Sequence, residues 1–117
     1  MIDRPFMTPF QMINWETVSS TEHKGETRAA IWQTVQSDTI RLRLVNFSPN
    51  YKADHWCEKG HIIHCLEGDF ILYRKDGSKN LMTKGMSCQI LDDTNNPHLM
   101  TSDSGCKLFI VDGGFLA

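Results

Sequence analysis

Short apolar runs follow one another along most of this chain, and turn-forming residues separate them. The separators combine Gly, Pro, Asn, Asp and Ser, the residues that tight turns prefer. No helical period is sustained over three turns. Many short strands at close spacing are typical of a β-sandwich or a small β-barrel, so we predict an all-β protein. The predicted strands are residues 27–33, 39–47, 53–57, 61–66, 70–73, 81–83, 87–91, 98–102 and 107–111.

The length of the chain fits one domain. A chain of 117 residues is long enough to bury a core without disulfides or a structural metal. Residues 1–25 lack the strand pattern and contain Pro5 and Pro9, which predicts an irregular N-terminal arm. Asp76-Gly77 lies between two predicted strands and is a typical hairpin signal. We therefore predict a single domain over residues 1–117.

Charge and composition argue against several classes of partner. The net charge is −2 and no basic run occurs, so neither nucleic acid nor an anionic membrane is an expected partner. The N-terminal residues lack the apolar core of a secretory signal, and no window approaches the roughly 20 apolar residues of a membrane span. We expect a cytoplasmic protein. In such a reducing compartment, Cys65, Cys88 and Cys106 are expected to pack in the core rather than form disulfides.

Metal-binding residue types concentrate in one short stretch of the chain. His55, Cys57 and His61 fall within seven residues, and His98 follows at a turn. Successive side chains of a strand alternate, so His55 and Cys57 should share a face. Imidazole and thiolate bind zinc and other first-row transition metals, not calcium or magnesium. A single His is often structural and Cys is often a small buried hydrophobe, but four together predict a metal site.

The strand predicted from His61 should alternate its side chains between two faces, which tests whether His61 can point towards a metal. If His61 points inward, so do Ile63 and Cys65. The other set, which points outward, is Ile62, His64 and Leu66. Both faces are largely apolar, so a second sheet or a second subunit should cover the outward face, and we predict a homodimer.

The spacing of these residues resembles the two motifs of the cupin superfamily. The first motif is usually His-x-His, three or four residues, Glu, six residues and Gly, and the second contains a Gly, a Pro-x-Gly and a His. The resemblance covers about residues 39–112. The matching residues are His55, Cys57, His61 and Gly68 for the first motif, and Gly85, Pro97 and His98 for the second. Residues 54–57, Asp-His-Trp-Cys, also resemble the signature of the DHCW-motif cupins.

The resemblance implies a jelly-roll barrel, or double-stranded β-helix, with one metal inside it. Its ligands would be His55, Cys57, His61 and His98. The usual cupin set of three His and one Glu suits iron, manganese or nickel. A set of three His and one Cys is softer and suits zinc, with iron or nickel as alternatives. A second set is His55, His61 and His98 alone, with Cys57 beside the metal, which resembles the site of the cupin thiol dioxygenases.

Three functions fit this interpretation. The first is a small metal-dependent enzyme of the oxygenase, isomerase or lyase type, acting on a small polar molecule inside the barrel. The second is a non-catalytic module that binds a small ligand or a metal, and the third is a barrel with a purely structural metal. An open coordination position would favour the enzyme over the structural metal. The carboxylates nearest the ligands in sequence are also ordinary turn residues, so no general acid or base is assigned; these are Asp54, Glu58, Asp92 and Asp93.

Overall fold

The computed structural model describes residues 9–117, which form an almost entirely antiparallel β-structure. In this part of the chain the helices are two 3-10 turns, Trp15–Thr17 and Gly114–Leu116. No helix among the described residues is long and apolar enough to cross a membrane. The nine strands are β1 Ser20–Lys24, β2 Ala29–Ser37, β3 Ile40–Phe47, β4 Tyr51–Lys52, β5 His61–Arg74, β6 Lys79–Thr83, β7 Ser87–Ile90, β8 His98–Ser102 and β9 Cys106–Gly113.

The long strand β5 joins the two parts of a single curled sheet. The sheet order is β1-β2-β3-β9-β5-β8-β4, and β6 and β7 also pair with β5. The first part of β5 pairs with β7 and β9, whereas its second part pairs with β6 and β8. Every ladder is antiparallel. The result is the half-barrel of a jelly roll, as the sequence predicts.

A bulge inside β5 replaces the turn that we expected at residues 67–69. The pairing of β5 with β9 shifts register between Cys65 and Glu67, and the strand continues to Arg74. An extra residue in one strand bends it and increases its twist, which lets β5 pass from one part of the sheet to the other. Gly68 follows the bulge with φ 72°, a conformation that glycine adopts without strain.

The alternation predicted for the start of β5 is confirmed. His61, Ile63 and Cys65 are buried, whereas Ile62 is exposed on the opposite face. The core that contains Ile63 and Cys65 also includes Cys106, and Cys88 packs against it. Ile62 is exposed in the single chain, so the homodimer that was expected to cover this face of β5 stays a prediction.

The N-terminal arm is shorter than expected. Residues 1–8 lie outside the described part, and the chain enters the sheet at Ser20 through β1, which pairs with β2. The predicted hairpin at Asp76-Gly77 is confirmed, because β5 and β6 pair across it and the Gly77 N–H donates to the Arg74 carbonyl.

We expect Gly68→Ala to lower the free energy of unfolding by about 2–4 kcal/mol. An alanine Cβ at this position would lie 2.2 Å from the Gly105 carbonyl oxygen, in addition to the strain of the positive φ. Gly77→Ala is the matched control, since its φ is 94° but nothing lies within 4 Å of the added Cβ. Urea unfolding of both variants measures the difference. Equal losses in the two variants would contradict the close approach at Gly68.

Candidate metal centre

Three side chains from separate parts of the chain converge at one end of the half-barrel. Cys57 lies in the loop after β4, His61 begins β5 and His98 begins β8. One ligand atom of each, a sulfur and two imidazole nitrogens, lies within 4.8 Å of the others. Cys57 Sγ is 3.8 Å from His61 Nε2, close to the roughly 3.6 Å expected for a sulfur and a nitrogen on one tetrahedral zinc ion.

Backbone pairing fixes Cys57 opposite His98. The Cys57 N–H donates to the His98 carbonyl at 2.7 Å, and the His98 N–H donates back at 2.9 Å. Residues that exchange both hydrogen bonds face each other directly, and their side chains project to the same side. This isolated bridge therefore presents the thiol and the imidazole to the same space.

A partly buried carboxylate orients His61. Asp112, near the end of β9, hydrogen-bonds to His61 Nδ1. With Nδ1 held in this way, Nε2 is the nitrogen that faces Cys57. Arg41 Nε donates to the same carboxylate at 2.8 Å and Arg43 Nε at 3.0 Å. A carboxylate behind a histidine is the usual support of a metal-binding imidazole.

These contacts shift the ionisation of the cluster. Burial would raise the pKa of Asp112, but the hydrogen bond from His61 and the charge of Arg43 outweigh it and hold that pKa well below its usual range. Burial would lower the pKa of His61, yet its bonds to Asp112 and Cys57 raise it. The hydrogen bond with His61 lowers the pKa of the Cys57 thiol to about 5, while burial opposes this shift. Cys57 is thus held as the thiolate, the form that binds metals.

The environment of His98 fits a metal ligand. The residue is only 2% exposed, and its Nε2 has no hydrogen-bond partner among the described residues. A buried polar atom without a partner costs about 1–3 kcal/mol. A metal ion would satisfy that nitrogen, so Cys57, His61 and His98 could hold one together.

His55 lies outside this cluster. Its side chain is 73% exposed, and its Nδ1 is 2.6 Å from Asp54 Oδ1. The predicted strand 53–57 is wrong, because β4 ends at Lys52. The Ala53 N–H bonds to Met100 and the Cys57 N–H bonds to His98, so residues 54–56 stand opposite Leu99 alone. These extra residues loop out, which breaks the alternation that was expected to place His55 beside Cys57.

A cavity of about 480 Å³ opens beside the cluster. Cys57, His61 and His98 form part of its wall. His55 also lines the cavity, but its ring is largely exposed to solvent. Aromatic side chains line the wall as well, among them Trp32 and Tyr51. A small molecule inside this cavity would contact the three candidate ligands.

Asp112 is the residue of the candidate site that the sequence did not predict. The carboxylates nearest the ligands in sequence have local roles: Asp92 accepts from the Gly60 N–H at 2.6 Å, and Asp93 accepts from the Asn95 N–H at 3.0 Å. The predicted last strand ended at residue 111, one residue too early. The signal available was the spacing Arg41-x-Arg43, which places two arginines on one strand face, where a carboxylate is the usual ion-pair partner.

Two further histidines are placed elsewhere. His64 lies on the opposite face of β5 from His61, as predicted, and its Nδ1 is 2.6 Å from Ser87 Oγ. His23 belongs to β1 and stacks on Trp32 with ring centroids 3.7 Å apart.

Solved structures resemble this one, although no family model and no curated protein matches the chain. A sugar phosphate isomerase of the cupin superfamily, from Silicibacter pomeroyi, has a TM-score of 0.68 at 13% identity. The match covers 88% of this chain and 75% of that one. A predicted oxalate decarboxylase from Thermotoga maritima has a TM-score of 0.72 at 12% identity, covering 88% and 98%. Fe(II)-HppE in complex with an alternative substrate has a TM-score of 0.71 at 13% identity, covering 89% of this chain and 60% of that one.

At these identities the likeness concerns the fold, and membership of the DHCW-motif subgroup stays a prediction. The curled antiparallel sheet, the order of its strands and these neighbours agree with one another. The chain has the fold of the cupin superfamily.

Proposed function

We propose that this protein binds one divalent transition metal through Cys57, His61 and His98 and acts as a metal-dependent enzyme on a small polar molecule in the adjoining cavity. Zinc is the expected metal, with iron or nickel as alternatives, because one thiolate and two imidazoles form a soft to intermediate donor set. The observation that carries the proposal is the buried His98, whose Nε2 has no hydrogen-bond partner among the described residues and which offers a ring nitrogen within 4.8 Å of the ligand atoms of Cys57 and His61.

The number of ligands supports catalysis over a structural metal. Structural zinc sites are closed by four protein ligands, whereas catalytic zinc keeps one position for water or substrate. Three residues form this cluster, and His55, the fourth candidate, is directed to Asp54 instead. The cavity beside the cluster would admit a small molecule to the remaining position.

Side chains and backbone of the protein would position the metal ligands for catalysis. A bound metal would supply a Lewis acid that polarises a carbonyl group or lowers the pKa of water. Asp112 would keep the His61 ring in one orientation and its Nδ1 proton in place. The Cys57–His98 bridge would fix the relative position of the other two ligands.

The printed names of the structural neighbours support the same class of function. Two of them are named as enzymes of small polar molecules, a sugar phosphate isomerase and a predicted oxalate decarboxylase. The third, HppE, holds Fe(II). A cupin barrel can therefore combine a metal with a small polar substrate.

We expect elemental analysis to find about one equivalent of metal in the purified protein and less than about a fifth of that in His98→Ala and Cys57→Ser. Each substitution removes one of three ligands, and a two-ligand site binds metal weakly. His55→Ala is the matched control and should keep its metal, because its exposed ring lies outside the cluster. Loss of metal from His55→Ala but not from Cys57→Ser would instead support the set of three histidines.

Cobalt substitution tests the thiolate directly. We expect the Co²⁺-loaded protein to show a sulfur-to-metal charge-transfer band that is absent from Cys57→Ser. Cys88→Ser is the control, since that partly buried cysteine packs against the core on β7. A parent protein without this band would exclude Cys57 as a ligand.

Asp112→Asn should weaken metal binding by about 10- to 100-fold, the usual effect of losing the carboxylate behind a ligating histidine. The amide keeps the shape of the side chain but can present its NH₂ group to His61 and the two arginines. Asp103→Asn, on an exposed turn, is the control for a lost negative charge. Competition with a chelator gives the affinity and thermal unfolding reports the fold. An unchanged affinity in folded Asp112→Asn would contradict the role of Asp112.

A further inference from the structure

The wall of the cavity carries an excess of positive charge. Its side chains include four cations and one carboxylate. The carboxylate, Asp54, lies next to the exposed His55 and is hydrogen-bonded to it. The four cations are Lys24, Arg41, Arg43 and Lys59. The protein as a whole has a net charge of −2, so this excess is local to the cavity.

Arg43 is the most informative of these cations because it is almost fully buried. It is 4% exposed, and its hydrogen bonds to Asp112 use Nε and Nη2. The remaining nitrogen, Nη1, donates to no residue in the described part of the chain. Because Arg43 lines the cavity wall, its unused donors are available to an acceptor group of a ligand there.

Arg41 extends the same surface. It lies two residues before Arg43 on β3, and its Nε also donates to Asp112. Its two terminal nitrogens donate to no described residue. The Trp32 ring lies under both guanidinium groups, at 4.5 Å from Arg43 Cζ and 5.7 Å from Arg41 Cζ. Contact with an aromatic face restrains both groups before any ligand arrives.

We propose that Arg41 and Arg43 form a subsite for the carboxylate group of a small organic acid, which is the substrate class of the adjoining centre. Guanidinium groups recognise planar carboxylates through paired N–H donors, and Nη1 of Arg43 with the terminal nitrogens of Arg41 provides such donors. The inference rests on the proposed function, because the metal centre defines which end of the acid reacts.

The arginine pair with its shared carboxylate matches the charge of a carboxylate better than that of a phosphate. Two arginines share one carboxylate, Asp112, which leaves one positive charge at the subsite. A carboxylate with a single negative charge balances it, whereas a phosphate carries about two at neutral pH. The cavity of about 480 Å³ is also of the size that binds small organic molecules.

Propionate and propionamide are the probes, because they differ in charge but hardly in shape. We expect zinc-loaded protein to bind propionate saturably and to bind propionamide at least about tenfold more weakly, since hydrogen bonds between a guanidinium and a charged carboxylate are stronger than those to a neutral amide. NMR titration gives the affinity, and the arginine Nε–H signals report whether the ligand lies at Arg41 and Arg43. Equal binding of the two probes would overturn the proposal.

Two variants remove the donors in different ways. Arg41→Gln acts on a partly exposed side chain, and Arg43→Lys keeps the charge beside Asp112 but loses the fork of donors. Both should weaken propionate binding about tenfold when they are compared with the parent at the same zinc loading. Lys79→Gln, an exposed residue of β6 outside the cavity, is the control for net charge and should bind propionate as the parent does. Parent-like binding by folded Arg41→Gln would overturn the subsite.

The outcomes for the metal and for the subsite are separable. Zinc content is measured on every sample, and propionate is titrated into metal-free protein as well. Absence of zinc from the parent would contradict the metal centre, whereas zinc-loaded protein that ignores propionate would contradict the subsite alone. Inorganic phosphate is titrated in parallel, and saturable binding of phosphate at the arginines without binding of propionate would overturn the choice of a carboxylate.

Discussion

The partly buried carboxylate of Asp112 organises this end of the molecule. It lies on β9 between β3 and β5, and it accepts hydrogen bonds from Arg41, Arg43 and His61. Loss of this carboxylate would leave the buried Arg43 without its ion-pair partner, which costs about 3–5 kcal/mol. The same contact that neutralises two arginines also fixes the imidazole of a candidate ligand. Stability and the candidate site therefore depend on one side chain.

The sequence predicted the fold because its signals are local. Strand alternation from His61 to Cys65 and the turn at Asp76-Gly77 depend on near neighbours in the chain, and both are confirmed. The bulge after Cys65 was missed because Gly68 is as typical of a turn as of a bulge. The residue types were interpreted correctly where only one backbone conformation suits them, and incorrectly at Gly68, which suits both a turn and a bulge.

The candidate site was only partly predictable, since it depends on register between distant strands. Cys57 and His61 fit the expected pattern, but His55 does not, because residues 54–56 stand opposite Leu99 alone and loop out. No local signal reports that excess of residues. Asp112 is supplied by a pairing of β9 with β3 across 71 residues of chain, which no single segment of sequence could reveal.

The charges of the cluster link the proposed metal to the proposed acid. Arg41, Arg43 and Asp112 leave one positive charge at the subsite, and the Cys57 thiolate beside the candidate metal carries one negative charge. A divalent ion on Cys57, His61 and His98 would add two positive charges in a largely buried place, where electrostatic interactions are weakly screened. An anion at the arginines would offset part of that charge. Each ligand would then raise the affinity for the other by the same factor, as reciprocal coupling requires.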